Sequence, residues 1–211
     1  ARGKKPLLEN IEIKKIAAEG KSIAYVDEKV LFVPNTVPGD IVDVQVTRKR
    51  KSFLEGFIVN VRKYSDIRTE PFCSHFGVCG GCKWQNLPYQ LQTEFKQQEI
   101  VDNLQRIGKV ELQNVSPIIG SPKTTYYRNK LEYTFCNKRF LTREEIANGQ
   151  DIDRTPAVGF HVPGLFDKVL DIKKCYLQAE PSNAVRNFIR DYAIEHELSF
   201  YDIRKQAGFL R

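Results

Sequence analysis

The sequence predicts two domains of different class: a small all-β barrel over residues 1–63, then an α+β domain over residues 64–211 that carries a cysteine-bound site. Three observations lead there. Short β-rich runs with period-2 alternation fill the first segment. Helical spacing appears only after it. Three cysteines, Cys73, Cys79 and Cys82, crowd into ten positions just past the boundary, in a chain with five cysteines altogether.

Within residues 10–63, Val42, Val44 and Val46 alternate with Asp43, Gln45 and Thr47, the pattern of a half-buried strand. The run SIAYVDEKVLFVP is two β-rich pieces meeting at Asp27-Glu28, a hairpin signal. PNTVPGD, with Pro34, Pro38 and Gly39, is a turn-rich connection, and FLEGFIVNVRKY resumes the strand pattern. Four or five short strands in so few residues favour a closed barrel, because closure removes exposed edges. Arg48, Lys49, Arg50 and Lys51 fall between two of the long strands and are followed by Phe53. Four adjacent cations repel one another unless they are solvated or set against phosphates. Phe53 offers a face on which a base could stack, or else belongs to the core.

From residue 64 the pattern changes. LPYQLQTEFKQQEIVDNLQRIG is expected to be a helix, with Pro88 near its start, Gly108 at its end, and Leu91, Phe95, Ile100, Leu104 and Ile107 roughly on one face. Strands are expected around Val115–Ile119, Leu131–Cys136 and Ala157–His161. A second helix, EPSNAVRNFIRDYAIEHEL, would turn Val185, Phe188, Ile189 and Tyr192 inward. There is no G-x-G-x-x-G after a strand and no Walker loop.

Lysine and arginine number 33 against 26 acids, a net charge of +7 with a pI near 9.1. The surplus is uneven: residues 1–63 hold 13 basic and 8 acidic residues. An excess concentrated in a small domain suggests a polyanionic partner. No apolar run is long enough to span a membrane, and ARGKKPLLENIEIKKI lacks the apolar centre of a signal peptide. The expected location is cytoplasmic, where thiols stay reduced; this argues against a disulfide framework and for metal or redox chemistry.

The cysteines are spaced C-x5-C-x2-C, and a fourth, Cys175, follows Cys82 by 93 residues in LDIKKCYLQ. Four cysteines can hold zinc or an iron–sulfur cluster. Zinc sites usually use two C-x2-C pairs, and one is present, so three ligands plus a remote fourth favour a [4Fe–4S] cluster; zinc and ordinary thiols stay open. His75 is expected beside the site rather than in it. Cys136 ends the alternation LEYTFC and is expected to be a buried strand cysteine.

CSHFGVCGGCKWQNLPYQLQTEFKQQEIVDNLQRIG strongly resembles the iron–sulfur region of the RNA uracil-5-methyltransferase family. VPGDIVDVQVTRKRKSF resembles the OB-like TRAM domain that precedes it there, and YYRNKLEYTF and VGFHVPGLFDKVLDIKKCYLQ are similar to that family's central domain. The resemblance covers essentially the whole chain. It implies that Cys73, Cys79, Cys82 and Cys175 bind a [4Fe–4S] cluster of structural role. It further implies that Arg48–Lys51, Phe53, Arg128 and Lys130 contact RNA, with ribosomal RNA favoured over transfer RNA. In that family a cysteine thiolate adds to C6 of uracil, C5 takes the methyl group of S-adenosylmethionine, and a carboxylate removes the C5 proton. Those residues belong to a C-terminal Rossmann-like domain without counterpart in this sequence. The expectation is therefore a monomeric RNA-binding and cluster-bearing portion with no catalytic residue of its own and no methyl transfer by itself. The alternative is a stand-alone RNA-binding module with a structural zinc site. A radical methylthio-transfer enzyme, which also carries a TRAM-like domain, is disfavoured, because its motif is C-x3-C-x2-C.

Overall fold

The computed structural model describes residues 5–149, 152 and 155–211, apart from the side chains of residues 143 and 144. Residues 1–4 of the basic N-terminal stretch lie outside the described residues. The chain divides into two compact units: Ala1–Phe72 with Lys83–Ser121, and Cys73–Cys82 with Pro122–Arg211. The cysteine loop thus leaves the first unit at Cys73, and the chain returns to it at Lys83.

In the first unit, strands β1 (Leu7–Glu12), β2 (Lys15–Ile16), β3 (Lys21–Val26), β4 (Lys29–Pro34), β5 (Ile41–Lys49) and β6 (Phe53–Lys63) form one six-stranded sheet of order β1-β5-β6-β4-β3-β2. Its outer strands, β1 and β2, are consecutive in the chain, so the sheet curls until its two ends are joined through Ile13 and Lys14. Lys14 N–H donates to Ile23 O at 2.8 Å, and Ile13 N–H donates to Asp40 O at 2.9 Å. The expected hairpin closes on Asp27 and Glu28, both at positive φ (46° and 62°), which twists the turn with its strands. Gly56 lets β6 cross β5 closely, since a Cβ there would lie 2.4 Å from Val44 Cγ1. Ile13, Ala24, Leu31, Val33, Val42, Val44, Val46 and Leu54 make one continuous apolar core. The buried Asp40 ties the PNTVPGD turn to later chain. It accepts from Val37 N–H at 2.8 Å, Ser65 N–H at 3.0 Å and the Arg68 guanidinium at 2.7 and 2.8 Å.

Helix α1 (Tyr89–Asp102) runs into a wider π-type turn, Asn103–Ile107, and stops at Gly108 as expected. Its apolar residues do not form a core face. None is buried, and Ile100 and Ile107 are 58% and 78% exposed. The predicted strand at Val115–Ile119 is not one. That segment returns along α1, where the Gln97 side-chain amide donates to Ser116 O and accepts from Ile118 N–H, both at 3.0 Å. A side chain thus replaces the partner strand that the apolar residues suggested.

In the second unit β7 (Thr134–Cys136), β8 (Ala157–His161) and β9 (Val169–Asp171) form an antiparallel sheet of order β7-β8-β9. The strand expected over Leu131–Cys136 is therefore only its second half. The short helix α2 (Arg143–Asn148) begins with a capping box between Thr142 and Glu145. Helix α3 (Ser182–Glu195) overturns the expected orientation. Asn183, Arg186, Arg190 and Ala193 are its buried residues, while Val185, Phe188, Ile189 and Tyr192 are 42–69% exposed. The reason is polar. Arg190 Nε meets Asp171 Oδ1 at 2.9 Å, and Arg186 Nη2 donates to Lys173 O at 2.6 Å. These groups at and beyond the end of β9 need partners, and α3 supplies them from its inner face.

Candidate metal centre and nucleic-acid interface

The cysteine site is built from a turn-rich loop and the chain beyond β9. Within the loop Cys73 O accepts from Phe76 N–H at 3.0 Å, and His75 O accepts from Cys79 N–H at 2.8 Å, winding the chain so that Cys73 and Cys79 come near each other. Gly81 N–H donates to Cys79 Sγ at 3.3 Å. Gly80 lies against the end of β8, where a Cβ would stand 2.8 Å from His161 O. Cys79 and Cys82 pack with Val78, Phe160 and Val162 against Leu170, Ile172, Cys175 and Leu177.

The remote candidate, Cys175, is held by α3. Asn183 Oδ1 accepts from Cys175 N–H at 2.7 Å, and Asn183 Nδ2 donates to Cys175 O at 3.1 Å. Arg186 Nη1 donates to the same Oδ1 at 2.9 Å. Asn183 and Arg186 were not foreseen from the sequence. They interrupt an apolar pattern with no spacing signal, and only the backbone at Cys175 gives them a role.

Burial pushes the Cys79 thiol up to about 11. The Gly81 N–H works against this, and the neighbouring Cys82, Cys73 and Cys175 add to it. The other three expected ligands thus lie close enough to Cys79 to act on it electrostatically. A Cys79 thiol so placed is protonated when metal-free and needs a cation to become a thiolate. Soft sulfur donors, apolar surroundings and an amide aimed at a sulfur fit an iron–sulfur cluster. Among the described residues, no group of three or more His, Cys, Asp or Glu side chains is placed to hold a metal ion. No cysteine is in a disulfide. His75 is half-buried in the loop, and burial lowers its pKa, with the nearby Arg186 charge acting in the same direction and Asp171 against it. Cys136 stands apart. It is 5% exposed, packs with Ala157 and Val169, and its sulfur lies 3.6 Å from Lys138 O and 3.8 Å from Asp167 O.

In the first unit, Arg48 and Lys49 end β5, Arg50 and Lys51 form the turn, and Phe53 opens β6. Arg50 N–H donates to Phe53 O at 2.8 Å and closes the turn. All four cations are exposed. Arg48 reaches Glu55 at 3.5 Å and lies 5.8 Å over the Phe53 ring. Among the described residues, Lys49, Arg50 and Lys51 have no ion-pair partner. Phe53 is half-buried and edge-on to Phe32, with ring centres 5.9 Å apart, and is not among the buried core residues.

Arg128 and Lys130 belong to the second unit, and their surroundings differ. Arg128 N–H donates to Leu177 O at 2.9 Å, and its side chain lines a groove. Lys130 is 81% exposed, bonded at 2.7 Å to Glu132, and does not line that groove.

Residues 9–59 match the TRAM domain family. The chain is 56% identical over 196 residues to a protein of Bacteroides thetaiotaomicron named "Uncharacterized RNA methyltransferase", covering 93% of this chain and 43% of the relative. A protein of the same name from Porphyromonas gingivalis is 49% identical over 207 residues, covering 95% of this chain and 44% of the relative. The fold is similar to that of Pyrococcus abyssi tRNA (uracil-54, C5)-methyltransferase, solved in complex with S-adenosyl-L-homocysteine. The TM-score is 0.59 at 23% identity, over 97% of this chain and 41% of that one. No described helix is long and apolar enough to cross a membrane. The chain carries a TRAM domain and is a relative of proteins named RNA methyltransferases, of whose length it spans somewhat over two-fifths.

Proposed function

We propose that this chain is the RNA-binding and cluster-bearing portion of an S-adenosylmethionine-dependent RNA (uracil-5-)-methyltransferase, acting on ribosomal RNA in preference to transfer RNA. The observation that carries the reading is its similarity, over 93% of the chain, to a protein named as an RNA methyltransferase. The TRAM barrel would grip the RNA backbone through Arg48, Lys49, Arg50 and Lys51, with Phe53 at the edge of that surface. Cys73, Cys79, Cys82 and Cys175 would hold a [4Fe–4S] cluster that ties the loop to the chain beyond β9. A cluster's four irons are spread over a cube, so its thiolates sit further apart than those around one ion. The described residues form no glycine-rich turn from strand to helix suited to a methyl donor, and no step of methyl transfer is assigned to them.

Three measurements test this reading. Protein purified without oxygen should contain about four irons and four sulfides per chain; colourless protein with one zinc would select the zinc-module reading. Replacing Arg48, Lys49, Arg50 and Lys51 by alanine should weaken binding to structured RNA. It should also flatten the dependence of log K on log salt, by roughly one unit of slope for each phosphate the variant no longer neutralises. Unchanged affinity and slope would reduce the basic run to a solvated loop. The 211 residues alone should transfer no labelled methyl group to total RNA.

A further inference from the structure

Among the described residues, six charged side chains are buried: Asp40, Asp43, Asp167, Arg186, Arg190 and Asp202. Five of them have an oppositely charged partner at 2.6–3.5 Å. Arg186, only 4% exposed, has none among the described residues. Acids in the same region are committed elsewhere. Asp171 meets Arg190 Nε and Lys173 Nζ, both at 2.9 Å, and the exposed Glu180 accepts from Asn183 Nδ2 at 2.8 Å and Ala184 N–H at 3.2 Å. Arg186 donates instead to neutral oxygens: Asn183 Oδ1 at 2.9 Å, Asn187 Oδ1 at 3.1 Å and Lys173 O at 2.6 Å. Two of these contacts lead to Cys175. Asn183 Oδ1 is the atom that accepts from Cys175 N–H, and Lys173 lies two residues before Cys175. The buried Tyr133 hydroxyl is engaged with both the Arg186 guanidinium and the Cys175 side chain, and the guanidinium lies 4.8 Å from the centre of the Tyr133 ring. That ring packs on Phe160 with centres 5.0 Å apart, and Phe160 backs the cysteine loop, where a Cβ at Gly81 would stand 3.7 Å from it.

A buried guanidinium without a counter-charge is costly, so the fold implies an anion beside it. The cysteine centre supplies one when it is filled. Four thiolates outweigh the two positive charges of a zinc ion or of an oxidised [4Fe–4S] core, so the loaded site is negative. Neutral thiols supply no such charge. We propose that Arg186 is the counter-charge of the cysteine centre and that the Tyr133 hydroxyl, held by Arg186, donates a hydrogen bond to the Cys175 sulfur. Both are positioning residues: they act on the bound group through Cys175 without binding it. The inference rests on the cluster-bearing reading above and adds to it the residues that tune the group. It also accounts for an arginine turned inward on α3 where no acid waits for it. A positive charge and a donor beside a ligand sulfur favour the addition of an electron to a cluster, so both residues raise its reduction potential.

The test reconstitutes the 211-residue chain without oxygen from ferrous iron and sulfide. Its one-electron reduction by dithionite is then titrated against mediator dyes, read by visible absorbance and electron paramagnetic resonance. Arg186→Gln should lower the equilibrium constant for reduction about tenfold, or about 59 mV for one electron. Tyr133→Phe keeps the ring, loses the hydroxyl, and should lower the constant in the same direction by roughly threefold. Arg186→Lys keeps the charge and should stay within about twofold of the wild type. Iron content and circular dichroism show that each variant is loaded and folded; should Arg186→Gln fail to load, Tyr133→Phe decides. Unchanged potentials in the loaded variants overturn the proposal and leave the cluster reading standing. Equal falls in Arg186→Lys and Arg186→Gln assign the effect to packing instead of charge and overturn it as well. A wild type that takes up no iron and sulfide overturns the cluster reading and this inference with it.

Discussion

The two units hold themselves together by opposite means. The barrel buries eight apolar side chains in one continuous cluster, and its sheet closes through its own edge strands. The second unit has three smaller apolar clusters, two of them containing cysteines, and its longest helix turns arginine and asparagine inward. Burial of apolar area is non-directional and tolerates imperfect geometry. Buried polar ties tolerate little, because each unmade bond leaves a group without water or partner. The barrel should therefore soften gradually under substitution, and the second unit should fail at single polar or sulfur positions.

The largest expected effect is Cys175→Ser. It should remove most of the iron and strip amide-exchange protection from β8, β9 and α3 while β3–β6 stay protected. Cys136→Ser should keep the iron. Equal iron loss in the two variants would break the ligand assignment, and equal loss of protection in both units would break the contrast itself. Leu31→Ala should cost the barrel about 3 kcal/mol, the usual toll of a fully buried leucine, read as faster exchange in β3–β6 alone. Asn183→Ala should cost the second unit about 2 kcal/mol, since it strands Cys175 N–H and O together with an Arg186 donor. Its amides should exchange faster with no change in the barrel, and a neutral result would show that the α3 ties are incidental.

A smaller effect concerns acid. Burial works against ionisation of Asp171, but bonds from Lys173 and Val158 N–H and the charge of Arg190 outweigh it and hold the carboxyl below the usual 3.8. A depressed folded-state pKa gives stability that is complete above the unfolded value and lost as pH falls through the folded one. The second unit should therefore lose protection in acid below about pH 4, and Asp171→Asn should flatten that dependence; an unchanged profile would place the acid sensitivity elsewhere. Smallest of all, Ile100→Ser on exposed α1 should change stability by less than about 0.5 kcal/mol. A larger loss in a denaturant titration would show that the α1 face is buried against something.

By itself the sequence determined what depends on neighbours along the chain. The alternation at Val42, Val44 and Val46 meant a barrel strand, Asp27-Glu28 meant a hairpin, Gly108 meant a helix end, and the spacing of Cys73, Cys79 and Cys82 meant a loop of potential ligands. Periodicity and turn chemistry are local, and local rules suffice for them. The tertiary structure alone decided which face of α3 is inside, that residues 115–119 pair with a glutamine side chain instead of a strand, and that Asn183 and Arg186 hold Cys175. Each of these turns on a backbone group far away in sequence or outside any ladder that needed a partner. Hydrophobic spacing carries no record of that need, because the demand arises only once the chain has folded and excluded water from the group.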